Sequence, residues 1–312
     1  MKVLLTGGTG FVGSHLSREL AEAGHAVRLA LRTPRPGLAV ESCVVGDLGP
    51  STDWSAALQD VEAVVHLAAR VHVMRDHAGG ADEFRRVNTE GTLQLARGAM
   101  AAGVRRFVFL STIKVNGEAT MPGRPFRPDD APAVVDAYGR SKLEAETGLR
   151  GMPGLETVVI RPPLIHGPGA KGNLARLCRL AQWGFPVPFA GVDNRRDLLG
   201  LANLSNLVER CLWHAAAPGQ VFLASDAQPL STARLHELIA TAMGRKARML
   251  RVPPGVLRAV AQPLGLSAEI DRLTQSLEVD ISRTRAALGW NPPVPIEHGI
   301  ATMARAFLAQ GH

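Results

Sequence analysis

The sequence predicts an α/β fold, a doubly wound parallel sheet followed by a small C-terminal lobe, and three observations carry that prediction. Short aliphatic runs alternate with amphipathic stretches through the first half of the chain. A glycine-rich turn joins the first aliphatic run to the first amphipathic stretch. Beyond Arg161 the alternation loosens into Pro- and Gly-rich segments between separate helical patterns. Strand–helix–strand units with right-handed crossovers put the carboxyl ends of all the strands along one edge, where chemistry is to be sought.

Taken in order, strands are expected over Lys2–Thr6, Ala26–Leu31, Cys43–Val45, Ala63–Leu67, Arg106–Leu110 and Thr157–Arg161. Helical patterns cover Phe11–Ala23, which Gly24 ends, then Ala81–Ala102 and Ala137–Leu149. The stretches Arg161–Gly172 and Pro186–Arg196 read as loops over a site. Helices resume over Asn203–His214, Thr232–Met243, Gly255–Leu264 and Ile296–Ala309. The apolar stretch Val252–Leu266 reads as a buried helix starting after Pro253-Pro254, with peripheral contact to a membrane as the alternative. There is no internal repeat and no low-complexity tract.

Composition narrows the class. Hydrophobic residues at 46% and charged residues at 20% are ordinary for a globular protein, so disorder is not the default reading. Cys43, Cys178 and Cys211 lie far apart without a CxxC element, against a disulfide framework or a zinc site. His66, His72 and His77 fit no zinc template either, so no metal is expected. The N-terminal apolar run ends in glycines too soon for a secretion signal, and no run nears the roughly 18 residues of a membrane span. A cytoplasmic protein is expected. The net charge of +7 reflects either a solvated, arginine-rich surface or attraction of anionic small molecules. Aromatics at 4% and the lack of a dense Lys/Arg run disfavour nucleic acid.

In the turn Thr6-Gly7-Gly8-Thr9-Gly10-Phe11-Val12-Gly13, glycines let the backbone turn tightly and approach a pyrophosphate at a helix N-terminus. Gly7, Gly10, Phe11, Val12 and Gly13 are therefore candidate dinucleotide contacts, and the fold is expected to be Rossmann-type. The second strand ends without an acid but with Arg32, which favours NADP(H) over NAD(H); stacking of Arg32 on adenine is the bland alternative. Asp47, followed by Leu48, is a candidate acceptor for the adenine amino group or a turn cap. Residues 1–165 then form the expected NAD(P)-binding domain, with segments near 198–224 returning to it. Residues 166–312 form mostly a discontinuous substrate-binding lobe.

Tyr138 and Lys142 share one helix face at a four-residue spacing, and Tyr138 is the sole tyrosine. A neighbouring ammonium and an oxidised nicotinamide both favour the phenolate, so the phenol is expected to titrate below its usual value. Ser111-Thr112 ends a strand on the carboxyl edge, where a hydroxyl meets a reacting oxygen or caps a turn.

Together these features resemble the extended short-chain dehydrogenase/reductase family, the NAD-dependent epimerases and dehydratases. The resemblance rests on the glycine turn, the Asp47 turn, His66-Leu67-Ala68-Ala69, Asn88-Thr89-Glu90-Gly91-Thr92, Ser111-Thr112, Tyr-x-x-x-Lys, Arg161-Pro162-Pro163 and Leu288-Gly289-Trp290-Asn291-Pro292. It implies that Thr112, Tyr138 and Lys142 are catalytic and that Leu67, Ala68 and Ala69 lie against the cofactor. It also implies that Asn88 backs the site and holds a structural water. Asn173-Leu174 and Arg196 match residues that meet a sugar-nucleotide pyrophosphate; Arg272 stands only near the position of the family's second arginine. His166 replaces a usual tyrosine, and Leu164 stands where 4-epimerases carry Asn.

The implied activity is hydride exchange at C4 of a UDP-sugar, as in UDP-glucose or UDP-N-acetylhexosamine 4-epimerases of surface polysaccharide biosynthesis. An NADPH-dependent reductase of UDP-4-keto-6-deoxy sugars is the alternative. Polyprenyl-linked sugars and a homodimer are also known among relatives. A reductase of steroid-like ketones is disfavoured by Arg196 and Asn173, and a non-catalytic dinucleotide sensor by the presence of Thr112, Tyr138 and Lys142.

Overall fold

The alternation of runs folds into one sheet of seven parallel strands. This computed structural model describes residues 1–71, 80–265 and 267–310. Strands β1 (Lys2–Thr6), β2 (Ala26–Leu31) and β3 (Glu41–Val44) run outward to one edge. The chain then crosses to β4 (Ala63–His66) on the other side of β1 and continues through β5 (Arg106–Leu110) and β6 (Glu156–Arg161). A separate parallel ladder of β7 (Leu164–His166) and β8 (Leu198–Gly200) intervenes before β9 (Val221–Leu223) joins β6. The sheet order is β3-β2-β1-β4-β5-β6-β9, so direction reverses between β1 and β4. A crevice opens at such a reversal, outside the strands' carboxyl ends.

Burial on both faces explains why the strands read as continuous apolar runs. Val3 and Leu5 of β1 pack beneath α1 (Phe11–Glu22), while Leu4 faces the opposite layer. After the short α2 (Ser55–Leu58) and α3 (Gly80–Phe84), that opposite layer is made by α4 (Gly91–Ala101) and α5 (Ala137–Arg150). In the second half, α6 (Gly172–Trp183) begins a separate cluster, whereas α7 (Leu201–Trp213) packs beside α1. The separate cluster is completed by α8 (Thr232–Ala242) and, further along the chain, by the last helix. Between these come α9 (Pro254–Ala261), α10 (Ser267–Thr274) and α11 (Ser282–Leu288); the last helix is α12 (Ile296–Ala309).

Several expectations are corrected. The helix expected over Ala81–Ala102 is α3, a π-helical segment Arg85–Glu90, and α4. The third strand starts at Glu41 rather than Cys43. The stretch read as a loop over Arg161–Gly172 contains β7, and β8, β9, α6, α10 and α11 were not foreseen. Strands of three residues are too short for an alternation to show. The helix expected to be buried after Pro253-Pro254 starts at Pro254 but contains no buried residue among those described; Leu266 lies outside them. Leu277, Val279, Ile281, Leu288 and Trp290 also return to the core of the sheet.

Candidate active site

The glycine turn makes one end of a cleft of about 1610 Å³ that follows the carboxyl ends of β1, β4 and β5. Gly7 adopts φ +71°, and a Cβ there would stand 2.8 Å from the Ala68 nitrogen. A Cβ on Gly13 would stand 2.1 Å from the Gly7 carbonyl oxygen, so only glycine lets α1 approach β1 this closely. No side chain caps α1 at Gly10, and Gly10, Phe11, Val12 and Gly13 all line the cleft. First-turn N–H groups and the helix dipole there suit an anion, so this cradle fits a dinucleotide pyrophosphate.

Arg32, Asp47 and Leu48 line the same end. Arg32 Nε stands 3.8 Å from Asp47 Oδ1, with both side chains 77% exposed. The two residues assigned to separate parts of an adenosine thus face one another.

Leu67, Ala68 and Ala69 form the wall after β4. Behind it runs a buried chain of hydrogen bonds. Thr92 Oγ1 donates to the Asn88 carbonyl (2.6 Å), so His66 Nε2 donates to Thr92 (2.9 Å). His66 Nδ1 then accepts from Thr6 Oγ1 (2.7 Å), and that hydroxyl accepts the Ala68 N–H (3.1 Å). Burial, reinforced by the Lys142 charge, pulls the imidazole down to about 3, so it stays neutral. His66 is thus a buried link in this chain of hydrogen bonds; His72 and His77 lie outside the described residues.

Asn88 does not line the cleft. Among the described residues its amide meets protein groups behind the wall rather than facing the cleft, so Asn88 is no candidate for direct cofactor contact. It accepts from Arg70 N (2.7 Å) and donates to Arg70 O (3.1 Å) and Ser141 Oγ (3.0 Å). The π-helical turn makes this reach possible, since Thr89 also meets the Ser141 carbonyl (2.9 Å).

Tyr138 and Lys142 both face the cleft from α5. Asp136 caps this helix, accepting from Gly139 N at 2.7 Å, and binds Lys114 Nζ at 2.5 Å. The Phe84 ring meets Tyr138 edge-on at 6.2 Å. Lys142 is fully buried; its Nζ donates to the Leu110 carbonyl (2.7 Å) and lies 4.2 Å above the Phe109 ring centre. Burial brings this ammonium down to about 7, partly opposed by Glu146. The Tyr138 phenol is pushed up, first by burial and then by Asp136. In the protein alone the phenol therefore lies above its usual value, whereas the lowering expected from the sequence needs both the ammonium and an oxidised nicotinamide. The lysine surrenders much of its own charge to burial and points at a backbone carbonyl.

Thr112 and Ser111 are divided in role by Glu146. Ser111 Oγ donates to Glu146 Oε1 in the interior, while Thr112 Oγ1 lines the cleft and accepts Lys114 N at 3.3 Å. Thr112 therefore both caps the short turn after β5 and offers its O–H to the cleft. Glu146 is also bound by Arg161 (Nη2–Oε2 2.5 Å), and Arg161 Nη1 donates to Asn116 Oδ1 (2.9 Å). Sequence reasoning missed Glu146, although it continues the four-residue spacing of Tyr138 and Lys142.

On the facing side, Asn173 and Leu174 sit in the first turn of α6, and Arg196 and Arg272 also line the cleft. Arg196 is held by paired backbone bonds with Leu230 (both 2.9 Å), and its Nη1 donates to Gln275 O (3.0 Å). Arg272 is exposed on α10. Asn194, also missed, donates to Gln275 O (2.9 Å) and accepts Thr232 N (2.9 Å), tying these segments together. Leu164 lines the cleft, whereas His166 is buried against Asp226 (2.7 Å) and does not.

Residues 3–222 match the model of the NAD dependent epimerase/dehydratase family. The chain is 42% identical over 315 residues to a UDP-glucose 4-epimerase of Vibrio cholerae, covering 98% of this chain and 95% of that protein. It is 29% identical to a 3-beta-hydroxysteroid dehydrogenase of Mycolicibacterium neoaurum, covering 96% and 89%. The fold matches that of UDP-N-acetylglucosamine 4-epimerase from Bacillus cereus with a TM-score of 0.79 at 21% identity, over 100% of both chains.

Proposed function

This chain belongs to the NAD-dependent epimerase/dehydratase family and is an enzyme of the short-chain dehydrogenase/reductase type, and from that premise we propose that it epimerises a UDP-linked hexose at C4. The observation that carries the reading is that Thr112, Tyr138 and Lys142 line the same cleft as the glycine cradle and Arg196. A planar guanidinium suits a diphosphate. The likeness to the Vibrio protein, at 42% against 29% for the steroid enzyme, supports a sugar nucleotide over an apolar ketone.

Held in the cradle, a dinucleotide supplies the acceptor and donor of hydride. The chain's own groups manage the oxygen on the reacting carbon. Thr112 donates its O–H to that oxygen. Tyr138 takes the hydroxyl proton as the carbon is oxidised and returns it when hydride comes back. Lys142, as an ammonium, favours the phenolate and would help to hold the dinucleotide beside it. Burial raises the Tyr138 phenol in the protein alone, and the positive charge that an oxidised dinucleotide would bring works in the opposite direction.

The second reading, an NADPH-dependent reductase of a UDP-4-keto-6-deoxy sugar, is favoured by Arg32, which lines the cleft with no acid at the end of β2. Arg32 supports a preference for NADP(H). The facing Asp47 keeps it modest, since exposed charge pairs are worth only about 0–1 kcal/mol. Asn173, Leu174 and Arg272 complete the proposed substrate contacts, and Leu67, Ala68 and Ala69 the proposed cofactor wall. The test is incubation of purified protein with UDP-glucose, UDP-N-acetylglucosamine and a UDP-4-keto-6-deoxy sugar, with and without NADPH or NADH. Epimerisation without added cofactor supports the first reading; consumption of NADPH with the keto sugar alone replaces it with the second.

A further inference from the structure

The apolar helix α9 should be buried by its composition, Pro254-Gly255-Val256-Leu257-Arg258-Ala259, yet Val256 is 50% exposed. Other large apolar side chains are exposed in the segment that leads into α9 and in the one paired with that segment. Backbone bonds from Val187 to Arg248 and from Leu250 to Val187 bring the segment before α9 against the end of α6. There Trp183 and Phe185 meet edge-on at 6.5 Å and are 61% and 64% exposed, and Leu250 is 56% exposed. Soluble proteins leave such a patch open where something covers it. None of these residues lines the cleft, so the patch is not a wall of the active site.

The charge around it selects the cover. Arg245, Lys246, Arg248 and Arg251 are exposed, and none is in an ion pair among the described residues. No Asp or Glu occurs between Glu237 and Glu269. Of the acids that flank this stretch in the sequence, Glu237 is paired with Arg234 (2.6 Å) and Asp271 with Arg258 (2.7 Å). A second copy of the chain would bring the same cations against themselves. Exposed Trp, Phe and Leu beside a cationic rim match the chemistry of an anionic lipid surface, whose acyl boundary takes the apolar groups and whose headgroups take the cations.

We propose that the face formed by Trp183, Phe185, Leu250 and α9, with the cations of residues 245–251, docks this protein on anionic membranes. It does so as a peripheral protein, for no described helix is long and apolar enough to cross a membrane. The surface is separate from the cleft, so its test does not depend on the sugar assigned there.

The full chain is sedimented with large vesicles of phosphatidylcholine alone and with equal parts of phosphatidylglycerol. Binding to the anionic vesicles at least tenfold tighter is expected, weakening with salt. Each cation near such a surface contributes roughly fivefold, so Arg245→Gln/Lys246→Gln/Arg248→Gln weakens binding on the order of a hundredfold. Trp183→Ser/Phe185→Ser leaves the salt dependence and weakens binding at least tenfold. Both variants turn over a soluble sugar nucleotide at the unaltered rate. The proposal is overturned if the wild type ignores phosphatidylglycerol, if both variants bind as it does, or if a duplex oligonucleotide binds more tightly than the vesicles.

Discussion

The wall built from β1, β4, β5 and α5 and the wall built from α6, the Arg196 strand segment and α10 hold their polar groups in different ways. On the first, Lys142, Ser111, Glu146, Arg161 and His66 are buried, and each is hydrogen-bonded to another side chain or a backbone group. On the second, Arg272 is exposed, and Arg196 is held through isolated bridges to Leu230 and Leu277 rather than through a sheet. The first wall is suited to keep reacting atoms in register. The second offers charge at the end of irregular backbone, where substitutions change what is bound more readily than how it reacts.

The largest effect expected from that contrast is on the first wall. Lys142→Met is expected to lower kcat by about a thousandfold, within the range for losing acid–base assistance, as read from steady-state rates. It carries a pH signature too. The folded lysine titrates at about 7 against an ordinary 10.5, so between those values the unfolded chain holds a proton that the folded one lacks. Wild-type stability relative to the Met variant should therefore rise with pH across that window, approaching about 1.4 kcal/mol per pH unit in denaturant melts. A flat difference would place the lysine in a solvated site.

Glu146→Ala leaves the buried Arg161 without its carboxylate and is expected to cost about 3–5 kcal/mol of stability, measured by denaturant unfolding. A loss under about 1 kcal/mol would mean that water reaches this pair. On the second wall, Arg196→Ala should raise KM by about tenfold to a hundredfold, the worth of a hydrogen bond to a charged group, with kcat far less altered. Equal losses in both would erase the distinction between the walls. The smallest effect is that of Asp136→Asn, which keeps the helix cap and removes the charge that helps raise the phenol. The limb of the kcat profile that follows phenol ionisation should move to lower pH; an unmoved limb would mean that Asp136 acts through the cap alone.

The contrast also explains what the sequence disclosed. Gly7, Gly13, Tyr138 and Lys142 are local: a turn needing glycine and two residues one helical turn apart are visible without knowing what packs on them. Glu146 was visible in the same stripe, but its partner Arg161 arrives from β6 and Asn116 from beyond β5, contacts that no periodicity records. The upward shift of Tyr138 in the protein alone was not legible, because its first cause, burial, belongs to the packed state. Likewise β7 and β8 exist by pairing with one another, and Asn194 acts across some eighty residues of chain to Leu273 and Gln275.

The most direct test of the account follows the near-ultraviolet absorbance of dinucleotide-loaded protein after UDP-sugar is added, for the wild type and for Tyr138→Phe. The account expects the reduced-dinucleotide signal to appear in the wild type and to form at least a hundredfold more slowly in the variant, with dinucleotide affinity unchanged. A signal forming at the wild-type rate without the phenol would contradict it.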